Sequence, residues 1–125
     1  MSQKLNGSWI EVSGGERLLI SRAGVVNTQA VEVSGEDIVC TSEVTRCAAW
    51  FAQAKKVPTP SINSFWLQQF LQHWAGEAIS QGAVILAASQ AGYAIAREPN
   101  SRTSSVKIGV DQECISQFDC GCGHP

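Results

Sequence analysis

The sequence is poor in charge and in long apolar runs, and each shortage excludes something. Only 16% of its 125 residues are charged, against roughly 25% in an average soluble domain. Nine Lys and Arg face eleven Asp and Glu for a net charge of −2, so a generic phosphate-binding surface is not expected. Residues 57–96 contain neither Lys nor Arg. No apolar run exceeds six residues, the length of Ala83 to Ala88, far short of the ~20 that span a bilayer. Met1 to Gly7 lacks the apolar stretch of ~7–15 residues that a secretory signal needs. The expectation is a cytoplasmic chain with no membrane segment. Phosphate-loop and dinucleotide glycine patterns are missing, as is a carboxylate cluster suited to Mg²⁺.

What is present is enough for a core. Hydrophobic residues make up 44%, with four Trp among nine aromatics, which excludes global disorder. A chain of this length is about one domain and buries about two-thirds of its unfolded surface. The expected division is a β-rich part (1–42), a helical part (43–92), a second β part (93–112) and a Cys-rich tail (113–125).

From Ser8 to Ser42 the apolar residues alternate with period two between glycines. Trp9 to Ser13, Arg17 to Ile20, Gln29 to Val33 and Ile38 to Cys40 read as four strands. Glu11-Val12-Ser13-Gly14 recurs as Glu32-Val33-Ser34-Gly35, as if one hairpin were built twice with one sheet face wet.

After Cys40 the period becomes helical. Val44, Cys47, Ala48 and Phe51 form a stripe behind an N-cap at Thr41 or Ser42, and Pro58 and Pro60 end the helix. A second helix starts near Asn63 or Ser64, burying Leu67, Phe70, Leu71 and Trp74 and turning Gln68, Gln69, Gln72 and His73 to water. Gly76 ends it. Ser80 caps a third helix over 81–91 that is apolar all round, buried in this chain or against another copy. Gly92 suits a left-handed C′ position, with Tyr93 packing back. Tyr93 to Arg97 and Val106 to Val110 read as two further strands. The expected fold is α+β: an antiparallel sheet of about six strands with three central helices packed on one face.

Ser61-Ile62-Asn63-Ser64-Phe65-Trp66-Leu67, Trp74-Ala75-Gly76-Glu77, Ile79-Ser80-Gln81-Gly82-Ala83, Ala87-Ala88 and Gly92-Tyr93 together resemble a pattern found in small uncharacterised bacterial proteins carried on mobile elements, including integron gene cassettes. The resemblance covers residues 59–97 and implies no reaction, cofactor or catalytic residue. That pattern often carries Gly-Leu-Lys-His where this chain has Trp66-Leu67-Gln68-Gln69, so a ligand contact through those basic residues is absent here.

The helices over 64–74 and 81–91 outline a helix-turn-helix, but the second exposes only Gln81, Ser89 and Gln90 for base contact, with no cation near it for phosphate. No nucleic-acid partner is expected. Cys114, Cys120, Cys122 and His124 make the sharpest chemical constellation. Three thiolates and an imidazole suit tetrahedral zinc, although only one closely spaced cysteine pair is present. Cys-Gly-Cys also suits a redox pair or Cu(I). The plainer alternative is a passive tail. Cys40 and Cys47 read as small core hydrophobes rather than nucleophiles. His73 and Glu77, four apart, suit a solvated pair, and nothing places a thiol beside His73 for Cys–His hydrolysis. Trp66 and Trp50 fall off their helix stripes, so at least one should be exposed.

The expected function is that of a non-catalytic binding module that self-associates through the apolar hairpin over 64–91, with Trp66, Phe70, Trp74, Trp50, Ile85 and Tyr93 as contact residues. Its partners would be a second copy, another protein or a small molecule. The alternative is a zinc-binding or thiol-dependent protein centred on the tail.

Overall fold

A computed structural model describes residues 8–12, 15, 17–25, 39–97 and 105–111. The architecture is α+β. It contains strands β1 (Ser8–Glu11), β2 (Arg17–Ser21) and β3 (Gly24–Val25), then helix α1 (Thr41–Phe51) and strand β4 (Ile62–Asn63). Helices α2 (Ser64–Ala75) and α3 (Gln81–Gln90) follow, and strands β5 (Ile95–Arg97) and β6 (Val106–Ile108) complete the described elements.

The single six-stranded sheet expected from the sequence is corrected to two three-stranded antiparallel sheets, ordered β1-β2-β3 and β4-β6-β5. The strands from the two ends of the chain do not pair with each other among the described residues; α3 packs against both groups instead. The two-residue β4, at the expected start of the second helix, pairs Ile62 with Ile108 and Asn63 with Lys107. It thereby ties the start of α2 to the second sheet. The expected strand ending at Cys40 is also revised: Val39 and Cys40 are not in a strand, and Cys40 is the extended residue preceding α1, without a side-chain capping bond. The second copy of the repeated hairpin lies outside the described residues. In the first, Glu11 is exposed and Val12 buried, as alternation requires. The outer face is not uniformly wet, because Leu19, which pairs with exposed Trp9, is buried.

Local sequence explains the helix boundaries. The Asn63 side chain accepts bonds from the backbone N–H groups of Phe65 and Trp66 at 2.8 and 3.2 Å, satisfying two of the donors a helix start leaves open. Ser80 does the same for Ala83 at 3.3 Å. Gly76 ends α2 in the left-handed conformation at φ 70°. Past α3, Gly92 has φ 87°. Tyr93 N–H donates to Ala88 O and Gly92 N–H to Ser89 O, both at 3.0 Å, which is the paired closure of a Schellman motif.

The apolar α3 is buried from Gln81 through Ala88 within this chain. It reaches that depth because its second residue has no side chain. A Cβ on Gly82 would overlap the Ser21 carbonyl oxygen and lie 2.9 Å from a Val39 methyl, and Gly82 N–H donates to Arg22 O at 3.0 Å.

Candidate interaction surface

The six residues expected at a contact surface divide between interior and surface. Trp50 is fully buried, Ile85 and Tyr93 are core, and Phe70 is buried. Trp74 is half-buried against the core. Trp66 is 49% exposed. The α3 half of the hairpin is therefore not an open surface, because α1 and the two sheets already cover it. The supposed need of α3 for a second copy falls away with it.

Trp50 goes inside because the buried face of α1 is Cys47, Trp50 and Phe51, with Ala48 turned out. The expected stripe had chosen Ala48 over Trp50, and burying an indole removes far more apolar area from water. The Trp50 ring meets Phe51 and Phe70 edge-on, with centroids 5.2 and 5.7 Å apart, and so locks α1 to α2. Tyr93 fills the same core, its ring 4.9 Å from Phe51 and its hydroxyl donating to Phe51 O at 2.6 Å.

The outer face of α2 is what remains open. Phe65 is 54% exposed and sits next to Trp66. Three and four residues on lies exposed Gln69, and four beyond that exposed His73. This spacing places them along one helix flank. The Trp66 ring lies nearly parallel to Phe70 at 5.9 Å and 7°, so it stacks on a side chain one turn further along the helix. Phe65 escaped the sequence reading, although the reasoning that singled out Trp66 applies to it: both lie off the stripe of Leu67, Phe70, Leu71 and Trp74. A third exposed aromatic, Trp9 at 45%, stands apart on β1 beneath the Arg17 guanidinium, 5.4 Å from the ring centroid.

The glutamines of α2 do not all face water. Gln68 donates to Ile79 O at 2.8 Å, and Gln72 accepts from Ile79 N–H at 3.1 Å. Together they clamp the turn between α2 and α3 through both backbone groups of one residue. Glu43 accepts from Ser80 N–H at 2.9 Å, and Glu77 pairs with Arg46 at 2.9 Å across to α1. Glu77 is thus engaged by an arginine rather than standing in the expected pair with His73.

Of the two described thiols, Cys47 is buried as expected and Cys40 is not. Burial pushes the Cys47 thiol up to about 12. The exposed Cys40 thiol is held below its ordinary value, first by the Ser42 hydroxyl at 3.1 Å and then by the backbone N–H groups at the start of α1. The proposed metal ligands Cys114, Cys120, Cys122 and His124 lie outside the described residues. Among the described residues, no three His, Cys, Asp or Glu side chains group to hold a metal, and no helix is long and apolar enough to cross a membrane. The chain matches no protein-family model, no curated protein and no solved structure.

Proposed function

We propose that this chain is a non-catalytic interaction module of the cytoplasm that binds a partner through the outer face of α2. The observation that carries this reading is the adjacent pair Phe65 and Trp66, both about half exposed, with the Trp66 ring set flat on Phe70. Large aromatics held in one orientation lose little entropy on docking and dominate the energy of contact surfaces. A duplex nucleic acid suits this face poorly. No cation occurs between residues 57 and 96, so counterion release has nothing to act through there. The helix that a helix-turn-helix would lay in the groove, α3, is buried.

The test is a photo-crosslinking phenylalanine analogue placed at Phe65 in cells producing the chain. Adducts lost when Trp66→Glu is added support the reading. Absence of any adduct, or adducts indifferent to Trp66→Glu, overturns it.

A further inference from the structure

We draw no further inference here: the strongest candidate, the cluster of Cys114, Cys120, Cys122 and His124 in the C-terminal tail, rests wholly on residues outside the described ones, so nothing in the structure brings its thiols and imidazole together around a metal.

Discussion

The Ser64 hydroxyl donates to the Gln81 carbonyl oxygen at 2.7 Å and accepts from the Val106 backbone N–H at 2.9 Å. Both side chains are buried, and the bonds continue outward from them. Ser105 also donates to the Gln81 oxygen at 2.9 Å, and the Gln81 amide donates to Ala23 O at 2.8 Å. One glutamine thus joins the starts of α2 and α3 to β6 on one side and to the β2–β3 turn on the other. A buried polar group is tolerable only when satisfied, so this cluster specifies how the two sheets and the helices meet.

Ser64→Ala is expected to cost about 1–3 kcal/mol, because it leaves the Val106 N–H buried without its acceptor and removes one donor from Gln81. Urea unfolding monitored by Trp fluorescence gives the value. A change below about 0.5 kcal/mol, the size of an ordinary surface substitution, would show that the cluster is incidental.

Gly82→Ala is expected to be more damaging than Gly76→Ala. At Gly82 the added methyl meets the Ser21 carbonyl, a backbone group that cannot step aside, and overpacking of this kind costs about 1–3 kcal/mol or more. At Gly76 there is open space and the only objection is a φ of 70°, costing about 1–2 kcal/mol. Melting temperatures of the two variants, measured side by side, check the order; the reverse order would contradict the close approach of α3 to β2.

The two described cysteines should part company chemically. Cys40 should react with iodoacetamide in the folded protein at pH values where an ordinary thiol is sluggish, since its ionised form is favoured. Cys47 should react only on unfolding. The pH dependence of stability carries the same contrast. Folded Cys47 holds its proton up to about 12, whereas the unfolded chain releases it near 9. Above pH 9 the unfolded state therefore binds fewer protons, and stability falls as pH rises through that window. Cys47→Ala should lessen the fall. Mass spectrometry of the alkylated peptides and urea midpoints between pH 8 and 10 provide the measurements. Equal labelling of both thiols in the native state would refute the assignment.

Much of the helical region could be read from the sequence because its signals are local. Asn63 and Ser80 cap because a short polar side chain reaches an N–H two or three residues on. Gly76 and Gly92 close helices because a left-handed turn disfavours a Cβ. These interactions span only a few residues, so the residue types at their spacing suffice. The apolar circumference of α3 likewise announced burial, though not by what.

Pairing and facing were decided only by the tertiary structure, because they depend on residues far apart in the chain. The period-two segments could not say whether six strands join one sheet or split around a buried helix. Ala48 and Trp50 fit the helical spacing of α1 about equally well, and only the proximity of Phe70 makes the indole the better filler. Gln81, expected to face water, is buried because Ser64, Ser105 and Ala23 supply its partners. Composition put aromatics on α2, and tertiary contacts chose which became core and which stayed open. Phe65 and Trp66 remain outside because Leu67, Phe70 and Leu71 occupy the side of the same helix that faces α1 and α3.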